Sequence, residues 1–284
     1  MNRYLSLIKF SHTVFALPFA LIGFFLATTE RGSGVDWKLF ALVLVCMVTA
    51  RSAAMAFNRW ADRRFDGQNP RTAIREIPAG AILPQRALAF VVLNALAFVA
   101  ATWLINPLCF ALSPVALAVV LGYSYTKRFT ALCHWVLGAG LALAPIGAYV
   151  AVTGQFAALP WIFSALVFTW VSGFDIIYAL QDEEFDRSQG LHSVPVLLGK
   201  SGALRLSEAL HLLCALSVAF AGWWGVFGAG YWTGAAAFTA LLIYQHTLVK
   251  PDDLSRVNLA FFTANGVGSV VFGCFVLADL YWCR

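Results

Sequence analysis

Nine apolar stretches divide this chain from end to end, at about residues 12–29, 38–58, 87–105, 108–124, 131–152, 160–181, 203–225, 230–249 and 259–281. A helix needs about 20 apolar residues to span a bilayer's hydrocarbon core. In lipid every backbone N–H and C=O must be satisfied within the protein, so only helices and closed barrels can cross. These runs are continuous rather than alternating, which predicts an all-α membrane protein with about nine transmembrane helices. The fourth run is short and carries Pro114, so it is expected to be interrupted there. Charged residues are 12% of the chain, against roughly 25% in soluble domains. Lipid solvates the apolar surface, and residues 1–284 are expected to form one transmembrane domain.

The same balance excludes other classes. A net charge of +5 has no water-soluble body on which to form a nucleic-acid-binding face. The six cysteines (Cys46, Cys109, Cys133, Cys214, Cys274 and Cys283) sit mostly inside apolar runs without CxxC or metal-ligand spacing, and read as packing residues. The first apolar run lacks a small-x-small cleavage site and passes into Thr28-Thr29-Glu30-Arg31, so no cleaved signal peptide is expected.

Basic residues set the orientation. Fifteen of the nineteen Lys and Arg fall before the first span or after the second, fourth, sixth and eighth. Only Arg31, Lys38 and Arg284 lie on the opposite side, and Arg51 is inside a span. The positive-inside rule then places the N-terminus in the cytoplasm and the C-terminus outside. Cap loops are expected at about 59–86, 124–130 and 182–202 on the cytoplasmic side.

Two acidic strings stand at that side. At about 100° per residue, Asn58, Asp62 and Asp66 share one helical face, with Arg51 two turns earlier on nearly the same azimuth. Asp175, Tyr178, Asp182 and Asp186 form a second stripe on the sixth span and just past its end. Intramembrane charge is costly and is a functional candidate by default. Mg²⁺ is held by one or two carboxylates together with substrate phosphates, so two facing stripes suit metal ions and a diphosphate. Glu183 and Glu184 read instead as solvated helix-end residues. Asp175 and Arg51 have a purely structural alternative, an ion pair with each other.

These residues resemble the UbiA superfamily of intramembrane prenyltransferases. Its NxxxDxxxD motif is matched by Asn58, Asp62 and Asp66, and its DxxxD motif by Asp182 and Asp186, preceded by a DxxY element at Asp175 and Tyr178. A YxxxK element is present at Tyr123 and Lys127, and the arginine seven residues before the motif asparagine is Arg51. The resemblance covers nearly the whole chain. It implies helices around a central cavity in a bacterial cytoplasmic (inner) membrane, with the active site at the cytoplasmic face. It implies Mg²⁺-dependent transfer of a polyprenyl group from polyprenyl diphosphate to an aromatic acid acceptor, with membrane lipid around the helices. Asn58, Asp62, Asp66, Asp182 and Asp186 would be metal-associated. Lys127, Arg63, Tyr123 and Tyr178 would contact the diphosphate, and Asp175 and Arg51 would act at the acceptor. Arg59, Arg71 and Arg128 read as anchors or loop contacts.

The acceptor is expected to be dihydroxynaphthoate, for menaquinone. The strings Ser11-His12-Thr13-Val14-Phe15-Ala16-Leu17-Pro18 and Asn69-Pro70-Arg71-Thr72-Ala73 resemble the futalosine-route subgroup, and Lys9-Phe10-Ser11-His12-Thr13-Val14-Phe15 lacks the R-F-D-K-P-I-G-like stretch of 4-hydroxybenzoate members. The alternative acceptor is 4-hydroxybenzoate, for ubiquinone. A membrane transporter is the competing class, disfavoured because the carboxylates cluster at one face and no broken-helix pair is evident in two halves. His12, His192 and His246 read as packing or hydrogen-bonding residues, with His192 a secondary candidate for the diphosphate. Phe24, Trp103, Trp161, Trp170, Trp223, Trp224 and Trp232 are expected mostly at lipid-facing or interfacial positions.

Overall fold

A computed structural model describes residues 3–8, 15–32 and 34–282. Lys9–Val14, including His12, lie outside the described residues, as do Cys283 and Arg284. Among the described residues nine long helices carry the architecture: α2 (Leu17–Arg31), α3 (Trp37–Ala61), α5 (Pro84–Ile105), α6 (Pro107–Thr126), α7 (Cys133–Thr153), α8 (Ala158–Ala179), α10 (Val194–Trp224), α11 (Ala229–Leu248) and α12 (Asn265–Trp282). Three short ones join them: α1 (Arg3–Leu7), α4 (Arg63–Gln68) and α9 (Glu183–Ser188). Among the described residues seven segments are long and apolar enough by themselves to cross a membrane. Of the nine expected spans, those at α2 and α11 fall short of that length or hydropathy.

Chain-adjacent long helices pack against one another from α5 round to α12, α12 returns to α2, and α2 lies against α7. Caps anchor the ends away from the acidic strings. Asp36 accepts from the N–H groups of Lys38 and Leu39 at the start of α3. Asn106 accepts from Cys109 N–H at the start of α6 and donates to the Val150 and Ala151 carbonyls of α7. Asp279 of α12, fully buried, takes the N–H groups of Gly228 and Tyr231 and so caps α11 from another helix. Each satisfies donors that a helix N-terminus leaves open.

The expected interruption of the fourth run is absent: α6 continues for 20 residues through Pro114. Proline's missing N–H orphans the Phe110 carbonyl, and the Ser113 hydroxyl donates to it at 2.8 Å. Gly199 does break its helix, with φ 67° and ψ 172° inside α10, a conformation glycine adopts without steric cost.

The core is aromatic. Trp170 is fully buried among Phe19, Phe174 and Phe238. Its indole N–H donates to Asn265 Oδ1 at 2.9 Å. The Asn265 amide in turn serves the Ala260 and Phe261 carbonyls where a π-helical segment, Leu259–Ala264, enters α12. Phe24 and Trp170 are thus core residues, not lipid-facing ones. Trp103, Trp161, Trp223, Trp224 and Trp232 face outward as expected.

Gly23 and Gly138 let helices approach closely. A Cβ on Gly23 would strike the Pro145 backbone of α7, and one on Gly138 would strike Ser172 Oγ and the Phe168 carbonyl of α8. Backbone cannot yield as a side chain can. Gly23→Ala is therefore expected to destabilise the fold by about 1–3 kcal/mol, the usual cost of overpacking, seen as a lower thermal midpoint in detergent. An unchanged midpoint would show that α2 is free to move off α7.

Candidate active site

Each acidic motif bends at its central aspartate. α3 ends at Ala61, Asp62 adopts φ −90°, ψ 6°, and α4 starts at Arg63. After α8 a 3-10 turn, Leu180–Asp182, leads to Asp182 at φ −105°, ψ 3°, and α9 follows. Both occupy the sparsely allowed bridge region, where active-site residues are often found. The stripes expected on two uninterrupted helices are each broken there, although the i→i−4 bonds from Asp62 N–H to Asn58 and from Asp66 N–H to Asp62 persist. The breaks come at helix ends, unlike the midplane discontinuities of transporters.

The two bends face one polar cavity of ≈ 290 Å³ lined by Arg51, Asn58, Asp62, Asp66, Tyr123, Lys127, Asp175, Tyr178, Asp182 and Asp186. Ten of the eleven residues singled out from sequence therefore converge, from α3, α4, α6, α8 and α9. Arg63 does not. Its guanidinium donates to the Trp60 carbonyl at 2.7 Å and lies 4.7 Å from the Trp60 ring centroid, outside the lining. His192 is exposed and outside the lining too, though its backbone N–H donates to the Lys127 carbonyl at 2.7 Å.

The motif aspartates all carry basic partners. Arg71 grips Asp182 with Nε at 3.1 Å and Nη2 at 2.5 Å, and reaches Tyr178 OH at 3.1 Å. Asn69 adds a further bond to Asp182 Oδ1. Arg75 meets Asp66 at 2.6 Å, Lys127 meets Asp186 at 2.7 Å and Arg128 meets Asp62 at 3.3 Å. Arg71 and Arg128, read as anchors or loop contacts, thus face the cavity; Arg75 was not singled out. Arg59 lines the cavity too, but it is buried and its carboxylate partner is Glu76, which also accepts from Ser6. That cluster ties α1 to the 59–86 loop.

Burial pushes the Asp62 carboxyl up to about 6, opposed by its Arg128 hydrogen bond and aided by the nearby Asp66 charge. Burial alone would lower Lys127, but Asp186 carries it above its ordinary value. Arg71 likewise overcomes burial through Asp182 and Tyr178.

Deeper in the cavity the pairing changes. Asp175 does not pair with Arg51; its Oδ2 lies 2.7 Å from His134 Nδ1. Arg51 has no carboxylate partner among the described residues, and its buried Nε is unsatisfied. Arg51, Met55, Tyr123, Leu137 and Leu141 also line a second, apolar cavity of ≈ 380 Å³ running between α3, α5, α6 and α7. A charged chamber therefore opens onto a greasy one, with Arg51 at the junction.

Among the described residues, no three His, Cys, Asp or Glu side chains converge to hold an ion unaided. The donors nevertheless fit a hard cation bound together with a phosphate. They are carboxylate oxygens, one of them, Asp66 Oδ2, buried without a partner. Asn58, Asp62, Asp66, Asp182 and Asp186 would hold the cations, leaving the basic partners for phosphate oxygens.

The chain is similar to known proteins over most of its length. Residues 16–266 match the UbiA prenyltransferase family. The 4-hydroxybenzoate octaprenyltransferase of Aeromonas hydrophila is 32% identical over 241 residues, 85% of this chain and 83% of that one. A UbiA homologue from Aeropyrum pernix K1, solved in its apo form, superposes with a TM-score of 0.85 at 34% identity, covering 94% of this chain and 98% of that one. A UbiA homologue from Archaeoglobus fulgidus bound to DMAPP and Mg²⁺ shares the fold at a TM-score of 0.78 and 19% identity, over 99% and 100% of the two chains.

Proposed function

This chain belongs to the UbiA prenyltransferase family, and from that premise we propose that it transfers a polyprenyl group from polyprenyl diphosphate to a carboxylated aromatic acceptor. It is an integral membrane prenyltransferase; the donor, acceptor and metal are the proposal. The observation carrying it is the junction of the two cavities. An acidic and basic chamber suits metal ions and a diphosphate, the adjoining apolar cavity suits a prenyl chain, and unpaired Arg51 between them suits a carboxylate.

Bound with the diphosphate, Mg²⁺ supplies the charge neutralisation that lets the allylic C–O bond ionise. Arg71, Arg75, Lys127 and Arg128 then turn from their aspartates to the phosphate oxygens. Tyr178 and Tyr123 flank that end, and Arg51 orients the acceptor through its carboxylate. The C–O bond breaks with its electron pair on the diphosphate, an electron-rich ring carbon bonds to the allylic carbon, and Asp175 takes the proton released. The apolar walls exclude water, which would trap the allylic cation as an alcohol. The basic-residue asymmetry supports a cytoplasmic N-terminus and a site open to cytoplasmic diphosphates.

The relatives' names favour 4-hydroxybenzoate as acceptor over the expected dihydroxynaphthoate. The naphthoate reading keeps two supports in the sequence, the strings at 11–18 and 69–73 and the missing R-F-D-K-P-I-G-like stretch at 9–15. Membranes containing the protein, given Mg²⁺, labelled polyprenyl diphosphate and either acid, are expected to form a prenylated product that is lost on adding EDTA. Prenylated hydroxybenzoate alone supports the ubiquinone branch, and prenylated naphthoate alone the menaquinone branch. Release of no diphosphate with either acid would count against an aromatic-acid acceptor.

A further inference from the structure

His134 belongs to none of the motifs, yet it makes the only hydrogen bond to Asp175 Oδ2 among the described residues. It stands at the start of α7, 2% exposed. Its second ring nitrogen, Nε2, lies 3.3 Å from the backbone N of Val194, the first residue of α10. A backbone N–H can only donate, so Nε2 is the acceptor. The proton of the neutral ring then sits on Nδ1, which donates to Asp175. An open donor at a helix N-terminus thereby sets the histidine tautomer.

We propose that His134 is a positioning residue for acceptor deprotonation: its Nδ1–H occupies Oδ2 of Asp175 and orients Oδ1 into the cavity as the base. This rests on the reading of Asp175 given above. Asp175 Oδ1 has no partner among the described residues, and the side chain is 24% exposed in a cavity it lines. Arg51 of α3 and Tyr123 of α6 line the same cavity. The proton released by the acceptor goes to Asp175, and His134 keeps its Nδ1–H on Oδ2. The segment that supplies Val194 also touches the other end of the site, since Ser193 Oγ donates to Asp186 at 3.2 Å and Leu191 N–H to the Asp186 carbonyl at 2.8 Å. One strand of chain thus braces both the diphosphate side and the base.

Two amide variants separate positioning from structure. His134→Asn puts an N–H where Nδ1 was and keeps the bond to Asp175 while giving up Val194. His134→Gln puts an oxygen near the former Nε2, keeping Val194 while giving up Asp175. The expected result is that H134N keeps kcat within about tenfold of the parent, whereas H134Q loses about 10²-fold, the scale of a misoriented reacting group. The KM for polyprenyl diphosphate should move little in either. The opposite order, H134Q active and H134N impaired, would show that His134 merely pins α10, and equal kcat values in both would also overturn the proposal. Asp175→Asn, measured alongside, separates the premises. If it retains kcat, Asp175 is not the base and that reading fails first. If it is inactive while the two His134 variants match, only the positioning role fails.

Discussion

Asp182→Ala is expected to cut kcat/KM for prenyl transfer by about 10²–10³-fold, the scale of losing one preorganised electrostatic contact to a transferring group. Asp182 sits at the bend where α8 gives way to α9 and is the point to which Asn69, Arg71 and, through Arg71, Tyr178 converge. Removing its carboxylate deletes a metal donor and also frees Arg71 from its tightest partner. The fold should survive, because Asp182 lines the polar cavity and is absent from the apolar cores. Purified protein with an unchanged thermal midpoint and residual transfer would therefore be the signature of a chemical role. Turnover within about tenfold of the parent would sink the metal assignment.

Arg51→Met should separate function from stability in the opposite direction. Arg51 carries a charge inside α3 with a buried Nε that nothing satisfies, and methionine fits the apolar lining it shares with Met55, Leu137 and Leu141. Replacing an uncompensated intramembrane charge leaves the thermal midpoint unchanged or raises it. The acceptor KM is expected to rise about 10–10²-fold, equivalent to losing a charge-assisted hydrogen bond of about 1.5–3 kcal/mol. The KM for polyprenyl diphosphate should stay near that of the parent, because Arg71, Arg75, Lys127 and Arg128 remain. Equal increases in both would remove Arg51 from the acceptor side.

Several residues show where reading the chain ends. The four-residue spacing of Asn58, Asp62 and Asp66 placed them on one face, and they do line one cavity, but spacing has no term for the bend at Asp62. Arg71, Arg75 and Arg128 resemble any loop arginine in sequence. Each is identified only by the aspartate it meets, 111 residues away for Arg71 and 66 for Arg128. Arg63, one residue from Asp62, looked better placed and is turned onto Trp60 instead. His134 offered no signal beyond being a histidine near the end of an apolar run. Pro114 misled because the rescue of its orphaned carbonyl belongs to the neighbouring Ser113.

By itself the sequence determined what depends on short-range regularities. Apolar runs in a solvent that cannot hydrogen-bond must become helices, carboxylates four apart must share a helix face, and an excess of Lys and Arg orients the loops. Tertiary structure alone decided which basic group neutralises which acid, that Asp175 turns to His134 while Arg51 stays unpaired, and that the charged chamber joins the apolar one. Those outcomes follow from side chains brought within about 3 Å across different helices, a distance that chain spacing does not encode.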